Sequence, residues 1–440
     1  MKRALTVVLI ILFISILIVG DVMLSGESFA RPAAAEPTPE PSPEPTPSPT
    51  PAPTPVPTPA PTPVPEYPAQ PLTLTLDYAD RRAADHLFDD DIGSDYTFPA
   101  GTALSLTADG EIHALYIIFG SYPDDWTLRA GEREYACGRG GFLHEYIALD
   151  EGAESLELLL PEDRDTMIRD IYAFTEGYPP TFVQTWRNLE EPADILIFST
   201  HYDDELLFLG GIIPYYSGVR GLKVQVVYMT SNYMTNFSNY RFRPHEALNG
   251  LWTAYLHYYP LTHEVRDYEC DSYWQAVSIY GQDDFAEFQT EMIRRFKPLV
   301  VVTQAEDGEY GHGAHILTAL SVERAVEAAA DPDEFPESAE RWGVWDTPKT
   351  YLHKYGDPDE ITILNYERRA PELGNRTPFE VAQEAYRQHE TQQKWVGFYV
   401  YNYGHAQDSH RFGLYRSLVG PDEDRNDLME HVSREQFPAE

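Results

Sequence analysis

The chain has 440 residues, of which 42% are hydrophobic, enough for a substantial core and for two or three domains. A formal net charge of −39 disfavours binding to nucleic-acid phosphates, and equally to anionic lipid through a basic patch. The two cysteines, Cys137 and Cys270, exclude a disulfide-rich scaffold and a cysteine-cluster zinc site.

Lys2 and Arg3 precede an apolar run from Ala4 to Gly20, the pattern of an export signal over residues 1–30. The run is close to the shortest helix that spans a bilayer, so a cleaved signal and a retained anchor through residues 4–20 both fit. Ala30 and Ala33–Ala35 offer small residues for a signal peptidase. From Pro37 to Pro65 every second residue is proline. That spacing removes half the backbone donors and predicts a stiff linker over 31–69, reaching roughly 90 Å at about 3.1 Å per residue. Together these segments place the rest of the chain outside the cell, secreted or anchored to the outer face of its membrane.

Residues 70–178 alternate with period two in short stretches: Leu72–Leu76, Ala103–Leu106, Ala114–Phe119 and Ser155–Leu160. Turn-rich segments such as Asp89–Gly93 and Gly138–Gly141 separate them. The reading is an antiparallel β-sandwich. Its layout resembles discoidin-type, galactose-binding-like jelly rolls, which implies a carbohydrate-holding module; a spacer without ligand is the alternative. Asp89, Asp90 and Asp91 could hold calcium, though a solvated acidic turn is the simpler reading. A Cys137–Cys270 bridge would have to join this region to the next, which argues against it.

After Pro180 the rhythm changes. Asp194–Thr200, Lys223–Thr230 and Pro298–Thr303 are apolar runs suited to buried parallel strands, with helices expected around 205–216, 244–257, 285–296 and 315–330. This predicts an α/β domain over 181–440, a Rossmann-like parallel sheet with flanking helices, whose ligands bind at the carboxyl ends of strands. Two strands end in polar clusters there. The first is Thr200-His201-Tyr202-Asp203-Asp204-Glu205; the second runs from Asp307 through His312 to His315. A catalytic zinc needs three protein ligands and an open position. His201 and Asp204, three apart at a helix start, can face one ion, and His315 completes the set. Asp203 is left as a general base, and His312 can meet charge developing on a carbonyl oxygen.

These motifs resemble those of the PIG-L (LmbE-like) zinc-dependent N-acetylglucosamine deacetylases. His201-Tyr202-Asp203-Asp204-Glu205 matches that family's first signature, Gly311-His312-Gly313-Ala314-His315 its second, and Arg243-Pro244-His245-Glu246 its third. His389–Gln392 and Arg411–Leu414 look like further landmarks, so the resemblance covers about Thr181 to Val432. It implies zinc (iron(II) being the alternative ion) on His201, Asp204 and His315, with Asp203 as base and His312 as oxyanion partner. It also implies Arg243 as a substrate contact, with Glu205 and Glu246 in supporting positions. Two departures stand out. Tyr202 replaces a proline and is expected to add a hydroxyl near the metal. Ala314 replaces an aspartate, leaving Asp203 or Asp307 to orient His312. The implied activity is removal of acetyl groups from an N-acetylated sugar or glycoconjugate. A non-catalytic glycan-binding protein, and the same site acting on another acyl amide, are the competing readings.

Overall fold

The computed structural model describes residues 67–91, 93–231, 242–394 and 398–439; the export segment, its apolar run 4–20 and the proline stalk lie outside the described residues. Among the described residues no helix is long and apolar enough to cross a membrane.

The first sheet holds β1 (Pro71–Leu72), β2 (Leu74–Asp77), β3 (Tyr96–Phe98), β4 (Ala103–Phe119), β5 (Trp126–Ala130), β6 (Arg133–Cys137), β7 (His144–Leu159) and β8 (Thr166–Phe174), with one helix, α1 (Arg82–Leu87). Every pairing is antiparallel. The stretches expected as separate strands at Ala103–Leu106 and Ala114–Phe119 are a single strand, β4. Its register shifts between Thr107 and Ile112 and again between Ile112 and Ala114. The early half pairs with β2 and the late half with β8, so one strand serves both layers of the sandwich. Leu104 and Leu106 from the first half share a buried cluster with Leu115, Ile117 and Phe119 from the second. In the acidic turn, Asp89 Oδ1 accepts from the Asp91 amide at 3.0 Å and Asp91 Oδ1 from that of Gly93 at 2.8 Å.

The second sheet contains β9 (Ile195–Ser199), β10 (Val224–Tyr228), β11 (Leu261–Thr262), β12 (Val300–Thr303), β13 (Lys349–His353), β14 (Thr362–Ile363) and β15 (Arg411–Ser417). Their spatial order is β11-β10-β9-β12-β13-β15-β14. The five from β11 to β13 are parallel, and β15 runs antiparallel to β13 and β14. Both margins of this sheet are strands of two residues. The helices are α2 (Asp204–Leu207), α3 (Arg243–Thr253), α4 (Tyr273–Tyr280), α5 (Gln282–Phe296), α6 (Gly308–Gly311), α7 (Gly313–Ala328), α8 (Pro336–Trp342) and α9 (Pro378–Tyr386).

Alternation along β9 divides the packing. Ile195 and Ile197 join a cluster with α3 and α9 residues such as Leu251 and Ala382, while Leu196 and Phe198 join one with Ile293 of α5 and Leu317 of α7. Helices therefore cover both faces. The helix expected over 205–216 is interrupted: α2 is one turn long, and helical backbone resumes as a π-helix over Pro214–Val219. Gly210 takes φ +51°, and a Cβ there would lie 2.8 Å from Ser409 Cβ, so the chain turns away where the 409 segment passes.

The two sheets, expected as separate domains, belong to one compact unit. The cluster containing Ile195 and Ile197 runs on into the sandwich core. Across the join the Leu143 amide donates to Tyr259 Oη at 3.1 Å, and His144 Nε2 meets His245 Nδ1 at 2.8 Å. Cys137 and Cys270 are both free and buried. β9 and β12 are neighbours at the centre of the α/β sheet. The chain leaves β9 outward to β10 and β11, then returns across to β12, which puts a topological switch point at their carboxyl ends.

Candidate metal centre

The turn after β9 is held before any site residue is placed. Gln304, just past β12, accepts from the Thr200 amide at 2.9 Å, and the Thr200 carbonyl accepts from the Thr230 amide at 3.1 Å. From this anchored turn the His201 amide and His201 Nδ1 both reach Asp204 Oδ2 at 2.9 Å. His315, at the first turn of α7, brings Nε2 to 3.1 Å from the same oxygen and 3.0 Å from His201 Nδ1. His315 and Asp204 are buried at 0% and 3% exposure.

These three atoms form a triangle with edges of 2.9, 3.0 and 3.1 Å. A tetrahedral ion with bonds of about 2.0–2.1 Å spaces its ligand atoms about 3.3 Å apart, so the set suits zinc after opening by a few tenths of an ångström. The electrostatics agree. Burial opposes charge on His315, yet Asp204 and Glu309 carry its pKa up to about 9, and the His201 pKa is also raised against burial by Asp267 and Asp204. A carboxylate that draws protons onto two imidazoles is one that a divalent cation satisfies in their place. The remaining ring nitrogens face carboxylates: His201 Nε2 lies 3.3 Å from Asp267 Oδ1, and His315 Nδ1 lies 2.9 Å from Glu309 Oε2. Such partners fix the tautomer and the ring orientation of metal-binding histidines.

Asp203 sits beside the triangle without joining it. Its backbone adopts φ +130°, a conformation that costs a non-glycine residue about 1–3 kcal/mol. Glu205 accepts from its amide at 3.1 Å. Burial pushes the Asp203 pKa up to about 6, with Arg243 pulling in the opposite direction. Arg243, read from sequence as a substrate contact, is turned onto Asp203, its guanidinium nitrogens 3.4 and 3.5 Å from the two carboxylate oxygens, and also donates to the Tyr202 carbonyl. Glu246, three residues on, accepts from the Thr391 amide at 2.7 Å and its hydroxyl at 2.6 Å, pinning the C-terminal segment to α3. His389, the landmark nearby, is fully buried.

His312 caps α7, its ring centroid 5.0 Å from that of His201 and 4.7 Å from that of His315. One nitrogen from each of the three rings lies within 4.8 Å of the others, so His312 borders the ion position more loosely than Asp204 does. Burial, reinforced by the charge on His201 and His315, lowers its pKa to about 3, leaving the ring neutral. Neither Asp203 nor Asp307 orients it: its Nδ1 is buried without a hydrogen-bond partner among the described residues, and Asp307 Oδ1 accepts from the Glu309 amide. The Tyr202 hydroxyl, expected near the metal, lies 3.2 Å from Thr262 Oγ1, and its ring packs edge-on against Tyr228 at 4.5 Å.

Sequence reasoning missed Glu309 and Asp267 as partners of the two histidines. Glu309 lay inside the second polar cluster, six residues before His315, but nothing in that spacing distinguishes it from Asp307.

No protein-family model matches the chain. It is 38% identical over 80 residues to the 1D-myo-inositol 2-acetamido-2-deoxy-alpha-D-glucopyranoside deacetylase 1 of Catenulispora acidiphila, covering 18% of this chain and 23% of that protein. Identity to the corresponding deacetylase of Geodermatophilus obscurus is 36% over 108 residues, covering 24% and 33%. The chain thus spans about a quarter to a third of the length of these relatives. Among solved structures it is similar to the N,N'-diacetylchitobiose deacetylase of Pyrococcus horikoshii, at 19% identity and a TM-score of 0.35, over 46% of this chain and 74% of that one.

Proposed function

We propose that the chain is a metal-dependent amidohydrolase that removes acetyl groups from N-acetylated amino sugars and works outside the cell. The observation that carries this reading is the triangle of His201, Asp204 and His315 with an ionisable carboxylate, Asp203, beside it at the switch point of the sheet. The shared segments with sugar-conjugate deacetylases support the same chemistry.

His201, Asp204 and His315 would hold the ion, zinc first and iron(II) as the alternative. A divalent cation there supplies Lewis acidity toward a carbonyl oxygen and lowers the pKa of water toward neutrality. Asp203 accepts the proton from the attacking water and returns it to the departing amine. Its pairing with Arg243 keeps the carboxylate aimed while burial keeps it basic enough for the task. His312, neutral, donates a ring N–H to the developing oxyanion. The acetamide C–N bond breaks, yielding acetate and a free sugar amine.

The test is acetate release from a panel of N-acetylglucosamine sugars by the zinc-loaded protein. Release should stop with chelator, and about one ion per chain should be lost in His201→Ala. A fully loaded protein that frees no acetate from any member overturns the reading. Export is supported by the basic–apolar start and the proline stalk, and fractionation of producing cells checks it.

A further inference from the structure

Loops of the sandwich and the outer strand of the α/β sheet line a half-open cavity of about 550 Å3. The sandwich contributes Tyr122 and Gly140, and the α/β sheet contributes Tyr202, Tyr259, Glu264 and Arg266. Two of these are neighbours of the site in sequence. Tyr202 stands between His201 and Asp203, and Arg266 precedes Asp267, the partner of His201.

The wall is built rather than accidental. Tyr259 is fixed by the Leu143 amide and packs its ring 4.7 Å from that of Phe142. A Cβ at Gly140 would lie 2.6 Å from the Phe142 ring, which would have to shift to admit it. Tyr122 keeps 43% exposure at the rim. Aromatic faces with one carboxylate and one guanidinium suit a neutral, hydroxyl-rich ligand whose rings carry apolar C–H faces. The volume falls within the about 300–1,000 Å3 of small-molecule sites.

We propose that the cavity holds sugar residues flanking the one that loses its acetyl group, so that the substrate is an oligosaccharide or longer glycan and the sandwich takes part in choosing it. This rests on the deacetylase reading above. The test compares kcat/KM of the zinc-loaded full chain on N-acetylglucosamine and on its β-1,4-linked tetramer, for wild type, Tyr122→Ala and Glu264→Gln. Wild type should prefer the tetramer at least tenfold, and both variants should lose about that factor through KM, with melting temperatures verifying their fold. Calorimetric titration of the tetramer is run in parallel in an Asp203→Asn background, so that nothing is turned over; binding should weaken about tenfold when Tyr122→Ala or Glu264→Gln is added. Wild type treating monomer and tetramer alike, or tetramer binding unchanged by both substitutions, overturns the proposal. If no sugar yields acetate but tetramer binding still depends on Tyr122, the deacetylase reading falls and the cavity assignment stands.

Discussion

At Glu309 a fully buried carboxylate bonds His315 with one oxygen and His353, at 3.2 Å, with the other. Burial alone would raise its pKa, but hydrogen bonds from the two rings hold it at about 2. It therefore stays ionised and fixes His315 with Nε2 toward the ion position. Glu309→Gln should weaken metal affinity by about 10–100-fold, read by titration against a competing chelator. Asp203→Asn should behave differently, keeping the metal while kcat falls by about 10²–10⁴-fold in the acetate assay. These two residues mark how far the sequence could be read. That His201, Asp203, Asp204 and His315 would be brought together was legible because two polar clusters, each at the end of an apolar strand, carried metal-ligand residue types. Glu309 and Asp267 were not, because a loop carboxylate carries no periodic signal and is told from its acidic neighbours only by where the backbone turns. The contacts of Arg243 with Asp203 and of Tyr202 with Thr262 were hidden for a related reason: side-chain direction in an irregular turn follows from tertiary contacts.

Among the elements, the apolar runs behind β9, β10 and β12 announced their strands because both faces are covered by helices, and the one polar residue inside them, Gln225 of β10, donates to the Val226 and Tyr259 carbonyls. The single β4 was not legible. Its middle, Asp109-Gly110-Glu111, has the composition of a turn, and only pairing with β2, β7 and β8 keeps it extended through two register shifts. The break after α2 was not legible because the apolar pattern runs on through Gly210 into the π-helix over Pro214–Val219. That glycine gives a direct check. Gly210→Ala places a side chain in the left-handed region against Ser409 and should cost about 2 kcal/mol or more, measured as a lowered urea midpoint.

For the whole molecule, a hydrophobic cluster continuous from sandwich to α/β sheet means that the two regions should unfold together. Calorimetry should show one cooperative transition; two separated transitions would contradict the shared core. The join also carries a pH dependence. His144, bonded to Tyr116 Oη at 2.8 Å on one side and to His245 on the other, has its pKa pushed down to about 3, by burial first and then by Arg169. The His245 pKa is also lowered well below the usual imidazole value, by burial, His144 and Arg169. Both rings are neutral when folded, whereas the unfolded chain takes up protons below about 6.5. Stability contributed at the join is therefore complete above that pH and declines as pH falls toward about 3. Between pH 6.5 and 5 the loss should be about 2 kcal/mol per ring, and His144→Gln should flatten the dependence seen in urea titrations.

The two-residue strands at either margin of the seven-stranded sheet have a consequence for behaviour in bulk. An exposed rim of unpaired amides and carbonyls is a template on which a foreign strand can add, and very short outer strands are one way that a sheet blunts it. Crowded copies of this protein should resist zipping together through that sheet, even at concentrations where longer open borders would seed fibrils.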